Sequence, residues 1–199
     1  MRRNLLTLFT LTSIVLFTAC DKTDSDDKFT GEFETATDIQ AGNNGFTFFN
    51  LSSGEVVTDS NSTTWDLGFK DAGFEIFIIT NGGFRGPGEG GGILLDVAFD
   101  DVVEVPSNDQ FSVESENAYA INPAPGGWWI YTATQIEPNH AVLPKTPHTI
   151  LVRTATGGYA KIEVLSYYEG NPDTSRPEFA NLQTRPASGY FTFKYEVID

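Results

Sequence analysis

Tyr190-Phe191-Thr192-Phe193-Lys194-Tyr195-Glu196-Val197 decides the fold class. Phe191, Phe193, Tyr195 and Val197 alternate with Thr192, Lys194 and Glu196, the period of two that sends successive side chains to opposite faces of a strand. The same alternation runs through Ala160, Ile162 and Val164 against Lys161 and Glu163, and through Trp65, Leu67 and Phe69 against Asp66 and Gly68. In each run the apolar set is expected in the core and the other set in solvent. Further apolar runs at 45–51, 54–58, 73–80, 92–98, 127–134 and 148–154 end in Asn, Gly, Pro or Ser clusters. No segment carries a long 3.6-residue apolar period with caps. Many short strands at this spacing predict an all-β domain, a single antiparallel sandwich or open barrel.

Working outward to the other end, Met1-Arg2-Arg3-Asn4 is a short cationic start, and Leu5 to Phe17 is apolar or hydroxylic throughout. That length suits a secretory signal and is too short for a permanent membrane span. Phe17-Thr18-Ala19-Cys20 follows, with small residues ahead of the cysteine. The pattern predicts a lipoprotein signal peptide over residues 1–19, cleavage before Cys20 and palmitate-type acylation of its sulfur. Cys20 is the only cysteine, so an exported chain could form no internal disulfide, and acylation removes the free thiol. Residues 20–35 open with Asp21-Lys22-Thr23-Asp24-Ser25-Asp26-Asp27-Lys28 and are expected to form an acidic flexible tether, leaving residues 36–199 as one β domain. A calcium-loop reading of the tether lacks the glycine and the closing glutamate.

Loss of residues 1–19 takes Arg2 and Arg3 with it and moves the net charge from −15 to −17. A chain of that charge repels nucleic acid and anionic membrane surfaces, so membrane contact is expected through the lipid anchor alone. Catalytic signatures fail one by one. Gly86-Pro87-Gly88-Glu89-Gly90-Gly91 matches G-x-G-x-x-G in letters, but Ile93, Leu94 and Leu95 continue as a strand where a helix would have to open. There is no Walker lysine, no G-x-S-x-G elbow and no H-E-x-x-H helix. Asp66, Glu75 and Glu163 are strand carboxylates with no assignable partner across a cleft, and solvated faces account for them. The chain is therefore read as a binding protein and not an enzyme.

From Thr64 onward a series of short motifs holds its order and spacing. Thr64-Trp65-Asp66-Leu67-Gly68-Phe69-Lys70 is followed by Thr80-Asn81-Gly82-Gly83 and the 86–92 glycine loop. Val103-Glu104-Val105-Pro106, Gly127-Trp128-Trp129-Ile130-Tyr131 and Ile150-Leu151-Val152-Arg153-Thr154 come next. Gly158-Tyr159-Ala160-Lys161-Ile162, Ser166-Tyr167-Tyr168 and Tyr190-Phe191-Thr192-Phe193-Lys194-Tyr195 complete the series, with Phe48-Phe49-Asn50-Leu51 as its opening. Over roughly residues 36–198 the chain resembles the HmuY family of haem-binding lipoproteins of Bacteroidetes. The resemblance implies an all-β haemophore, lipid-anchored in the outer membrane and exposed on the cell surface. Such a protein takes haem or a porphyrin and passes it to a TonB-dependent outer-membrane receptor in iron acquisition. The alternative is a surface lipoprotein of the same fold that binds a non-haem ligand or a partner.

The resemblance breaks at the iron ligands. The founding type holds haem iron between two histidines, one just after the Gly-Trp strand and one well upstream. Here Thr132, Ala133 and Thr134 follow that strand, and no histidine lies upstream. Other members use methionine, and the only methionine is Met1. The remaining candidates for axial ligands are His140 and His148, joined by a proline-rich segment that could bring both imidazoles to one pocket. The alternative reading makes them an exposed loop histidine and a strand-edge histidine. Tyr131 or Tyr119 could supply a missing ligand. Trp128, Trp129, Tyr131, Tyr167 and Tyr168 are the candidate walls of a tetrapyrrole pocket, with plain core packing as the alternative for these aromatics.

Overall fold

In the computed structural model, which describes residues 28–198, the chain folds as two antiparallel sheets and a short hairpin. The predicted signal peptide, Cys20 and the first half of the predicted tether, residues 20–27, lie outside the described residues. The larger sheet has five strands: β1 (Glu34–Gln40), β11 (Ser188–Ile198), β10 (Tyr159–Tyr168), β9 (Thr149–Arg153) and β6 (Gly91–Leu95), in that order. The smaller has four: β3 (Glu55–Val57), β2 (Thr47–Asn50), β4 (Leu67–Asp71) and β5 (Ile76–Thr80). A two-stranded ribbon joins β7 (Trp129–Tyr131) to β8 (Val142–Pro144). The one α-helix among the described residues is the single turn α1 (Pro177–Ala180).

The alternation in β11 does set its faces. Phe191, Phe193 and Tyr195 are buried and meet Phe49 and Phe69 from the smaller sheet, with ring centroids 4.6 Å apart for Phe69–Phe191 and 5.4 Å for Phe49–Phe193. The sheets thus share one core, which also takes Ile150, Val152, Ile162 and Val164 from β9 and β10. Burying large aromatic faces against one another supplies most of the driving force, with edge-to-face geometry adding about 0.5–1.5 kcal/mol per pair.

Three expectations are corrected. The opposite face of β10–β11 is not solvated: Thr192, Lys161 and Glu196 are all buried. Lys161 opposes Glu196 across the ladder, and their side chains pair at 3.2 Å. The ammonium also donates to the carbonyls of Phe99 and Val102 and sits over the Phe29 and Phe99 rings. Glu196 accepts from the Thr30 and Gly31 N–H groups and the Thr30 hydroxyl. Burial opposes its ionisation, yet these donors and Lys161 together hold its pKa below 4.5. A charge pair survives on this face because every lone pair and proton is satisfied.

The second correction follows from the first. Residues 28–35, read as tether, are packed on the fold. Lys28 bridges Glu104, the Phe29 N–H bonds the Val103 carbonyl, Phe29 is buried, and β1 begins at Glu34. Thirdly, Trp65 precedes β4 and does not share the inward face of Leu67 and Phe69. It packs with Phe77, Ile79 and Phe48 on the other side of the smaller sheet. Asp66 is buried too, accepting from the Leu51 and Ala155 N–H groups.

Candidate functional site

The glycine-rich loop is structural. Gly88 donates to the Asn81 side-chain oxygen and Gly90 to the Asn81 carbonyl. A Cβ at Gly90 would lie 2.5 Å from that carbonyl oxygen, so backbones approach there as only glycine permits. Nothing in this wrap resembles a phosphate cradle at a helix N-terminus.

The proposed aromatic walls are mostly core. Trp128 Nε1 donates to the Ile76 carbonyl at 3.1 Å and Trp129 Nε1 to the Pro123 carbonyl at 3.0 Å, and both indoles are buried. The Tyr167 hydroxyl donates to Asp71 at 2.6 Å, and the Tyr168 hydroxyl accepts the Val142 N–H at 2.9 Å. Burial raises both phenol pKa values, and the Asp71 carboxylate pushes that of Tyr167 further. Tyr119 is occupied as well, its ring 4.1 Å from the Arg85 guanidinium and 4.9 Å from Phe77. The indole N–H groups of Trp128 and Trp129 and the hydroxyls of Tyr167 and Tyr168 each already have a structural partner.

His148 sits at the mouth of β9 and is 1% exposed. Its Nε2 accepts the Val164 N–H at 3.2 Å and its Nδ1 meets the Lys145 carbonyl. One nitrogen must accept and the other donate, so the pair of backbone partners selects the neutral Nδ1–H tautomer. Burial lowers its pKa below 6.5, against a smaller upward pull from the Lys145 carbonyl and Glu163. In this arrangement neither ring nitrogen is free for a metal.

His140 has the opposite setting. It lies in the 132–141 connection between β7 and β8, with φ of 54°, and its side chain is exposed. Three backbone contacts seat it. Its N–H bonds the Ala133 carbonyl at 2.6 Å, and Arg185 clamps the His140 and Asn139 carbonyls at 2.7 Å each. Thr132 ties the base of the loop, its hydroxyl donating to the Pro138 carbonyl and accepting the Ala141 N–H. The imidazole Nδ1 then meets the Tyr131 hydroxyl at 2.8 Å. Tyr131 is 44% exposed, beside the exposed Ile130 on β7. The structure therefore brings together Tyr131 and His140 and separates them from His148. Arg185 was not foreseen, because the clamp spans 45 residues of sequence and leaves no local signal.

What the fold and this hairpin define is an all-β domain with a phenol and an imidazole paired on its surface. The comparisons make the class specific. The profile of the HmuY protein family matches residues 43–195, most of the chain, and the chain belongs to that family. Among solved structures it is similar to the apo HmuY analog of Tannerella forsythia, at 16% identity and a TM-score of 0.51 over 84% of this chain and 95% of that one. It is also similar to a Bacteroides fragilis chain assigned as a lipoprotein, at 17% identity and a TM-score of 0.49, covering 83% and 89%. A third likeness is to a Bacteroides vulgatus chain assigned as an HmuY-like heme-binding protein, at 14% and 0.47, covering 82% and 90%. No curated protein matches the chain.

The family implies haem, and the residues present can be tested for fit. An axial ligand needs an exposed donor atom that can shed its proton or already lacks one. His148 does not meet this, being buried with both nitrogens engaged. Tyr131 and His140 do meet it, as exposed donors 2.8 Å apart on one hairpin.

Proposed function

We propose that this chain is a surface haem- or porphyrin-binding lipoprotein that works without turnover and passes its cargo to an outer-membrane, TonB-dependent receptor. Membership of the HmuY family carries the reading. The exposed Tyr131–His140 pair supports it by supplying donors for iron where the family's histidine pattern is missing. The bound macrocycle would bring the iron and the flat apolar surface. The protein's own residues would supply the axial donor, from the β7–β8 hairpin, and a seat that Arg185 keeps in register. The expected experiment is a titration of the purified full-length chain with ferric haem. A sharpened, shifted Soret band saturating at micromolar concentration is the expected result, and no saturable change with either haem or iron-free protoporphyrin would defeat the proposal.

The anchoring half of the reading rests on Phe17-Thr18-Ala19-Cys20 and the acidic stretch that follows. Cys20→Ala should abolish palmitate labelling and move the protein to the aqueous side of a detergent phase separation. If the variant still labels and partitions like its parent, the lipid anchor is not at Cys20. A second reading, a non-haem ligand or partner on the same fold, is favoured by one observation: His148 is locked into the backbone. It gains if the haem titration is flat.

A further inference from the structure

We propose that Asn44 is a site of spontaneous covalent modification, where the side-chain amide is lost and the residue becomes aspartate or isoaspartate. The inference is independent of the haem reading. It rests on the contrast between the chain's two Asn-Gly pairs, Asn44-Gly45 and Asn81-Gly82. The reaction is intramolecular. The backbone nitrogen of the following residue gives its proton to solvent and attacks the asparagine Cγ. The new C–N bond closes a succinimide ring, and the old bond to Nδ2 breaks as ammonia leaves with a proton. Water then adds to either ring carbonyl and opens the ring. The product is aspartate or, where the main chain is rerouted through the side chain, isoaspartate. Nothing is oxidised or reduced, and water is the only co-reactant.

The step asks for an unhindered nitrogen, a side-chain amide free to turn toward it and room for the ring to close. Asn44 and Gly45 meet each demand. Both are exposed, in the bend that joins β1 to β2. Glycine at 45 sets no Cβ beside the attacking nitrogen, and a Cβ placed there would meet no atom within 4 Å, so the surrounding space is open. Among the described residues, no hydrogen bond engages the Gly45 N–H or the Asn44 side chain. Asn43 is exposed as well, but the residue after it is Asn44, whose Cβ crowds the nitrogen.

Asn81 meets none of these demands. It is fully buried, and its Nδ2 donates to the carbonyls of Ser62 and Trp65 at 2.9 and 2.7 Å. Its Oδ1 accepts the Gly88 N–H at 3.0 Å. The Gly82 N–H is taken by the Thr80 carbonyl at 3.0 Å, and a Cβ at Gly82 would lie 2.1 Å from the Gly90 carbonyl oxygen. One dipeptide is thus open to the reaction in one seat and guarded in the other. At Asn44 the product adds a negative charge and, as isoaspartate, an extra backbone carbon to the connection between the two sheets. It does so beside Gly42, which bonds Phe69 and Asp71 through its N–H and carbonyl.

The test follows the full-length chain by peptide mapping and mass spectrometry during incubation in warm neutral buffer, with a short synthetic Asn-Gly peptide as the clock. The Asn44 peptide should gain the mass of an NH-to-O exchange and separate into aspartate and isoaspartate forms, while the Asn81 peptide keeps its mass. Unfolding the chain in guanidinium should bring Asn81 to a rate close to that of Asn44. Gly45→Ala, whose added methyl the open space accommodates, should slow conversion at Asn44 severalfold, and Asn44→Gln should remove the modified peptide. An Asn44 peptide that keeps its mass while the synthetic peptide converts overturns the proposal. So does conversion of Asn81 at the rate of Asn44 in the folded chain, and so does a Gly45→Ala chain that converts as fast as its parent.

Discussion

The chain's two histidines sit close in sequence and occupy opposite kinds of ground. His148 is sealed between β9 and β10 and spends both ring nitrogens on backbone groups of Lys145 and Val164. His140 is exposed, has its backbone held by Ala133 and Arg185, and directs its ring only at another exposed polar side chain, Tyr131. The first imidazole completes the backbone's hydrogen bonding. In the second, the backbone serves the imidazole. Residue type is silent on this difference, and what separates a structural histidine from a candidate functional one is where its hydrogen bonds go.

The comparison breaks most visibly if the two residues are removed in turn. His148→Ala leaves the Val164 N–H and the Lys145 carbonyl without partners in a dry site and opens a cavity. A buried unsatisfied group costs about 1–3 kcal/mol, so a loss on the order of 3 kcal/mol is expected. His140→Ala removes one exposed contact and should cost no more than about 0.5 kcal/mol. Urea denaturation midpoints of the two variants measure this directly. Equal midpoints would mean that the 145–148 turn reorganises freely and that the sealed seat is not structural.

The fold was legible because its strongest signal is local. Period-two alternation in 190–197 and 160–164 locates β11 and β10, and the order of the motifs fits the family that the profile match shows. The far side of those strands was misjudged for a physical reason. Lys161 and Glu196 read as solvent residues in a one-dimensional pattern, but each is neutralised by the other across the ladder and capped by Thr30, Gly31 and the Phe99 and Val102 carbonyls. Those partners come from distant segments. β1 and β8 went unseen because Glu34–Gln40 is polar and largely exposed and Val142–Pro144 is only three residues long. At the site, sequence named Tyr131 and His140 among several candidates, but the Thr132 and Arg185 bonds that shape the hairpin and bring the two side chains together join distant segments and left no local signal.

The smallest effect expected is in the pH dependence of stability, and it belongs to the sealed seat. Burial lowers the folded-state pKa of His148 below its ordinary 6.5. Between the folded and unfolded values the unfolded chain therefore binds more protons, and stability rises with pH across that window. The contribution is complete above about pH 6.5 and is lost as the pH falls below it, with a slope that one group can raise to no more than about 1.4 kcal/mol per pH unit. Two carboxyls bracket this signal from the acid side. Glu196 is held below 4.5, so its stabilisation is lost only at more acid pH. Burial raises the Glu114 pKa above 4.5, so its protonation works in the opposite direction and favours the folded state as the pH falls. Both are present in every variant, which makes the difference between parent and His148→Gln the clean quantity. Urea unfolding at pH 7.5 and 5.5 should show the parent losing more stability across that interval than His148→Gln, although the variant starts lower. Identical pH slopes would mean that His148 keeps its ordinary proton affinity in the fold, and the contrast between a sealed and an open histidine would lose its electrostatic half.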